Sequence, residues 1–114
     1  MIHSHIRMVI PPQKRGEALK ILRSTAERNK ILPGCLDSRI YEDLQEENVL
    51  MFEELWRSDE ELEQHLRSDE YRRVLLVLEM ALQNPEVRFN QVSSSSGIET
   101  IEKARTSPGT GDRP

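Results

Sequence analysis

Between Val49 and Trp56 the chain reads as a short strand that is apolar on both faces, and no other segment constrains the fold as much. At period two, Leu50, Phe52, Glu54 and Trp56 share one face, and Val49, Met51, Glu53 and Leu55 share the other. A strand with one solvated side alternates apolar with polar residues, so this strand needs cover on both sides. Helices supply one cover. In a chain of 114 residues the second is expected from another copy of the same chain.

The elements around it follow from switches of hydrophobic period. Ile2 to Ile10 reads as a first strand with Ile2, Ser4, Ile6, Met8 and Ile10 on one face, stopped by Pro11 and Pro12. Pro12 suits the first turn of a helix, where its missing N–H has no intrahelical partner to lose. That helix runs to about Asn29 and places Ala18, Leu19, Ile21, Leu22 and Ala26 on one arc. Pro33 and Gly34 punctuate the chain before a second strand from Cys35 to Asp43, and Glu46, Glu47 and Asn48 form a hairpin connection to the third.

After Trp56, Ser58 and Glu61 have the spacing of a capping box, which starts a second helix with Leu62, His65 and Leu66 on one face. Ser68 and Asp69 cap a third helix through Leu82. Its expected stripe is Tyr71, Val74, Leu75, Leu78 and Leu82, with Leu76, Val77 and Met80 towards the other side. That second apolar side exceeds what one small sheet covers and again points to association. Asn84 and Pro85 end the helix, and Val87 to Val92 alternate as a last strand. The order β-α-β-β-α-α-β implies an α+β, ferredoxin-like domain over residues 1–92: a four-stranded antiparallel sheet with helices on one face. Residues 93–114 open on four serines and read as a flexible C-terminal tail, in which only Ile98 to Arg105 has helical texture.

Composition removes several classes of function. A net charge of −4, with no cluster of Lys and Arg interleaved with aromatics, argues against nucleic acid as a partner. No run of apolar residues is long enough to span a bilayer, and the single cysteine, Cys35, makes no internal disulfide. With no leader-like N-terminus, the expected compartment is the cytoplasm. His3 and His5 have an i, i+2 spacing that metal sites use, but the sequence offers no third ligand of matching type beside them, so no metal is expected.

Pro33-Gly34-Cys35, the strand end Glu54-x-Trp56, and His65-Leu66-x-Ser68 followed by Tyr71 together resemble the antibiotic biosynthesis monooxygenase family across roughly residues 2–92. The resemblance implies a homodimer in which two sheets close into an α+β barrel, with a ligand pocket between sheet and helices in each subunit. It also implies oxidation of a small molecule by molecular oxygen.

The residues can be read for that chemistry. The sequence has no Gly-rich dinucleotide fingerprint, P-loop or cysteine cluster, so no cofactor is expected. Oxidation without a cofactor needs an electron-rich aromatic, polycyclic or quinol-type substrate whose anion reacts with oxygen. The protein must supply an apolar pocket, a base and donors to an oxyanion. Trp56 and Phe52 are candidates for the pocket wall, His65 for the base, and Glu54 for orienting it or sharing its proton. Tyr71, Tyr41 and Arg39 are candidate donors, with Tyr41 and Arg39 on one face of the second strand, which periodicity alone leaves unassigned.

The same residues also have structural roles open to them: Trp56 and Tyr71 as packing, and Glu54 as a lock between sheet and helix. Two other functions stay open beside the oxygenase. One is a non-catalytic dimeric module that binds a small molecule. The other is a relative on the same fold, either a haem-degrading enzyme, whose pattern includes an Asn absent from this first strand, or a sugar-phosphate isomerase, for which Arg39 is the one supporting cation.

Overall fold

The computed structural model describes residues 1–106, so the stretch from Ser107 to the end of the expected tail lies outside the described residues. Four strands, β1 (Ile2–Val9), β2 (Cys35–Glu42), β3 (Val49–Trp56) and β4 (Glu86–Gln91), form one antiparallel sheet in the order β2-β3-β1-β4. A single 3-10 turn at Pro12–Lys14 leads into α1 (Arg15–Asn29); α2 (Asp59–Arg67) and α3 (Tyr71–Met80) follow β3, and α4 (Glu99–Thr106) follows β4. This is the ferredoxin-like α+β arrangement that the alternation of periods implies. No helix among the described residues is long and apolar enough to cross a membrane.

Each element forms for a local reason. Pro12 opens the 3-10 turn, and Lys14 N–H closes it on the Pro11 carbonyl at 2.9 Å. Along α1 the buried positions are Ala18, Ile21, Leu22, Thr25, Ala26 and Asn29, the i, i+3, i+4, i+7 arc expected of a helix lying on a sheet, with Asn29 at its end. The β2–β3 loop is an Asx turn: Asp43 Oδ1 accepts from the amides of Gln45 (2.8 Å) and Glu46 (3.3 Å). The loop exits through Asn48 at φ 67°, a conformation asparagine tolerates better than most residues.

Two expectations need correction. In the expected capping box the forward half forms, Ser58 Oγ accepting from Glu61 N–H at 3.3 Å, but the Glu61 carboxylate takes Arg57 and the Ser58 hydroxyl instead of returning to the Ser58 amide. An arginine one residue before the cap outbids a neutral N–H for that carboxylate. On α3 the buried stripe is Tyr71, Val74 and Val77, with Leu78 and Ala81 partly buried, while Leu75, Leu76 and Leu82 are exposed. The helix packs mainly on α1, which turns Val77 inward, and it ends at Met80, so Leu82 never joins the stripe.

The main core lies between the sheet and α1 and α3, around Ile6, Met8, Leu22, Phe52 and Val74. A smaller cluster of Ile2, Trp56 and Leu62 lies under α2. Helical cover stops short of β4. Val87 and Phe89 pair across from Ile6 and Ser4 on the helix side, yet remain 44% and 46% exposed. On the other face of the sheet no helix or strand among the described residues lies over Met51, Glu53 and Leu55, which are half-buried.

Candidate functional site

Glu54 sits in the middle of the sheet's helix-facing side, 1% exposed, and its neighbours across both adjacent strands are also polar: Ser4 on β1 and Ser38 on β2. A carboxylate in such a place persists only if its oxygens are hydrogen-bonded. They are. Oε1 accepts from Trp56 Nε1 at 3.0 Å, and Oε2 accepts from Asn29 Nδ2 at 2.7 Å and lies 3.1 Å from His65 Nε2. Asn29 spends its second amide hydrogen on Ser38 Oγ at 3.1 Å.

Trp56 and Asn29 can only donate through these atoms, so both oxygens act as acceptors, and the remaining contact is satisfied with the proton on His65 Nε2. Nδ1 is then the ring nitrogen with a free lone pair. One carboxylate thus ties together the end of α1, strands β2 and β3, and the inner face of α2.

The His65 ring, 5% exposed as a residue, lies between two aromatic rings. Trp56 stacks on it at 4.6 Å between centroids and 30° between planes, and Tyr71 meets it edge-on at 5.0 Å and 80°. Burial, reinforced by the negative charge of Glu54, pushes the Tyr71 phenol well above the ordinary tyrosine range, so it stays protonated at any physiological pH. The same two causes push the Cys35 thiol up to about 11, which leaves it a thiol rather than a nucleophilic thiolate.

A cavity of about 300 Å³ opens beside this group, lined by Trp56, His65, Asn29, Leu32 and Gln64, with Arg28 at the mouth. Its size is at the lower end of ligand pockets and suits a flat ring system. Gly34 shapes the nearby turn: its φ of +89° is a conformation that favours glycine, and the Glu61 carboxylate lies where a Cβ would be.

The expected site residues fall in three places. His65, Glu54, Trp56 and Tyr71 come together, with Tyr71 touching the His65 ring rather than lining the cavity. Phe52 lies deeper, in the main core. Arg39 and Tyr41 are on the opposite face of the sheet, where Arg39 Nε pairs with Asp37 at 3.1 Å and Tyr41 is exposed. A register shift between Cys35 and Asp37 decides this, because it turns Ser38 and Ile40, not Arg39 and Tyr41, towards the helices.

That open face also carries His3 and His5, which meet Glu53 at 3.1 and 2.8 Å. Partial burial works to raise the Glu53 pKa, but hydrogen bonds from His5 and His3 outweigh it and hold the carboxyl below its usual range. Among the described residues no group of three or more His, Cys, Asp or Glu side chains is placed to hold a metal ion. Sequence reasoning missed Asn29, Ser38, Gln64 and Arg28. For Asn29 there was a signal, since it continues the apolar arc three residues after Ala26 and seven after Leu22.

Comparison with known proteins agrees with this fold. The sequence model of the antibiotic biosynthesis monooxygenase family matches residues 1–75, which include Asn29, Glu54, Trp56, His65 and Tyr71. An uncharacterised protein of Synechocystis is 30% identical over 59 residues, a match that spans 52% of this chain but only 40% of that protein. A conserved protein of Methanosarcina mazei superposes with a TM-score of 0.73 at 25% identity, covering 79% of this chain and 90% of its own. A structure described as an antibiotic biosynthesis monooxygenase gives 0.73 at 21% identity, covering 82% of this chain and all of its own. The Mycobacterium tuberculosis protein Rv0793 gives 0.75 at 20% identity, covering 84% of this chain and 98% of its own. At those last two identities the likeness speaks for the fold alone.

Proposed function

The chain belongs to the antibiotic biosynthesis monooxygenase family, and on that premise we propose that it is a cofactor-independent monooxygenase of an aromatic, polycyclic or quinol-type molecule, working as a homodimer. The observation that carries the reading is the buried Glu54–His65 pair at the wall of a cavity that Trp56 also lines.

In this reading the substrate stacks along Trp56 and presents an acidic C–H or O–H to His65 Nδ1. Proton transfer makes His65 an imidazolium, whose Nε2–H already faces the Glu54 carboxylate, so the new charge appears beside an opposite one in a dry site. The substrate anion gives one electron to oxygen, the resulting pair combines into a peroxide, and the proton held on His65 returns as the O–O bond breaks. For an anthrone-type CH₂ the balance is one O₂ consumed, one C=O formed and one water released. The substrate supplies all the electrons.

The dimer has its own support in the uncovered sheet face around Met51 and Leu55. Arg39, the cation named for the isomerase alternative, lies on that far face, away from the cavity, which Arg28 lines instead. The experiment is oxygen uptake by purified protein, without added flavin or metal, over a panel of anthrones and hydroquinones. Uptake with one quinone formed per O₂, one oxygen atom of that O₂ retained in the product and no hydrogen peroxide released supports the reading. No uptake above the buffer rate across the panel sinks it.

A further inference from the structure

The inference here rests on the reading of the cavity as a site for an aromatic ring and adds a second feature of the substrate. Trp56, Leu32 and Pro33 give the cavity an apolar wall, but the mouth is charged. Arg28, in the last turn of α1, and Glu70, just before α3, both line it and meet there, Arg28 Nη1 donating to Glu70 Oε2 at 3.1 Å. Among the described residues that line the cavity, Arg28 is the only lysine or arginine.

Apart from Gln64, a neutral amide, the other charged or polar side chains that line the cavity are already committed. The Glu61 carboxylate is held by Arg57 and Ser58. The first amides of α3 are closed in turn geometry, Tyr71 on the Ser68 carbonyl at 3.2 Å and Arg72 on the Asp69 carbonyl at 3.1 Å. Arg28 is different. A guanidinium has five N–H donors in a planar fork, and Glu70 takes one of them.

We propose that Arg28 recognises an acidic substituent of the ligand, so that the preferred occupant is a flat aromatic ring carrying a carboxylate or comparable oxyanion on the edge facing the mouth. Glu70 is a place-holder that gives up Arg28 when such a ligand enters. The exchange runs this way because Arg28 and Glu70 are both about half exposed, where ion pairs are weak and solvent-screened. A carboxylate carried in on an apolar ring meets the guanidinium in bidentate geometry, with less water around it. Anchoring one edge at Arg28 also sets which edge of the ring faces His65, so the contact selects the position of attack as well as the ligand.

Trp56 is the only tryptophan of the chain and part of the cavity wall, so its fluorescence reports occupancy directly. The full-length protein, Arg28→Gln and Glu70→Gln are titrated with anthraquinone-2-carboxylate and with the neutral 2-hydroxymethyl-anthraquinone. Circular dichroism melts confirm that these variants at half-exposed positions fold. The wild-type protein should bind the carboxylate probe about tenfold tighter than the neutral one. In Arg28→Gln the two affinities should converge to within about twofold. In Glu70→Gln, with the competitor gone, the carboxylate probe should tighten by roughly threefold.

Equal binding of the two probes by the wild type, or a preference that survives in Arg28→Gln, overturns the proposal while leaving the aromatic-ring reading in place. If neither probe changes the Trp56 signal, the ring reading falls and the proposal falls with it.

Discussion

His65 Nε2 lies 3.1 Å from Glu54 Oε2, and the two side chains are almost wholly withdrawn from solvent. A buried ionisable pair is costly to assemble, and it is strongly destabilising to break from one side only. The pair is worth keeping if the imidazole must take up a proton away from water.

Replacing Glu54 with Gln tests the pair without changing its shape. One oxygen becomes an NH₂ facing either the Trp56 or the Asn29 donor, so a donor meets a donor, and urea denaturation should show a loss of about 1–3 kcal/mol. An unchanged midpoint would mean that Glu54 is not the acceptor at the centre of this network.

Asn29 should matter to stability although it lies at a helix end, where substitutions are usually tolerated. Asn29→Ala removes the only link from α1 to both Glu54 and Ser38 and should cost about 1–3 kcal/mol. Asn29→Asp places a second carboxylate against Glu54 and should cost more at neutral pH than in acid. The two variants are compared by thermal melts at about pH 7 and about pH 4.5.

Glu53 gives the open face a pH signature. Its carboxyl is held below the usual glutamate range, so the stabilisation is complete above the unfolded pKa of about 4.3 and is lost as pH falls through the lower folded value. The group is only partly buried and solvent screens it, so the effect is about 1 kcal/mol or less. Urea midpoints from about pH 6 down to about pH 3 should fall less steeply in Glu53→Gln than in the wild type.

Association and tail are tested together. Size-exclusion with light scattering should give twice the mass of one chain. Leu55→Asp, on the uncovered face, should shift the species to the monomer, and removal of residues 93–114 should leave both the two-chain stoichiometry and the melting temperature unchanged. A wild-type monomer at micromolar concentration would remove the barrel, and a large loss of melting temperature on truncation would place the tail within the domain.

The sequence carried the site unevenly, and the reasons are local. Period two placed Glu54 and Trp56 on one strand face, and the helical arc placed His65 inward, so their meeting was legible from two short-range patterns. Asn29 joins Glu54 across 25 residues of chain, and which helix end lies over which strand position is a tertiary fact. Arg39 and Tyr41 depended on parity. Counted from Cys35, which packs by Trp56, they should face the helices, but the register shift before Asp37 reverses the count, and nothing in the residues themselves announces it. On α3 the run from Val74 to Leu78 is apolar without a break, so the pattern fixed a helix without fixing its rotation.

In the proposed reaction His65, held by Glu54, is the proton acceptor. The most direct measurement is the rate of oxygen consumption by wild type and His65→Ala at saturating anthrone, with both proteins shown folded by circular dichroism. The rate should fall by about a factor of ten or more in the variant, because general base catalysis contributes at least that much. Equal rates in the two proteins would contradict the claim and leave His65 as a packing residue between Trp56 and Tyr71.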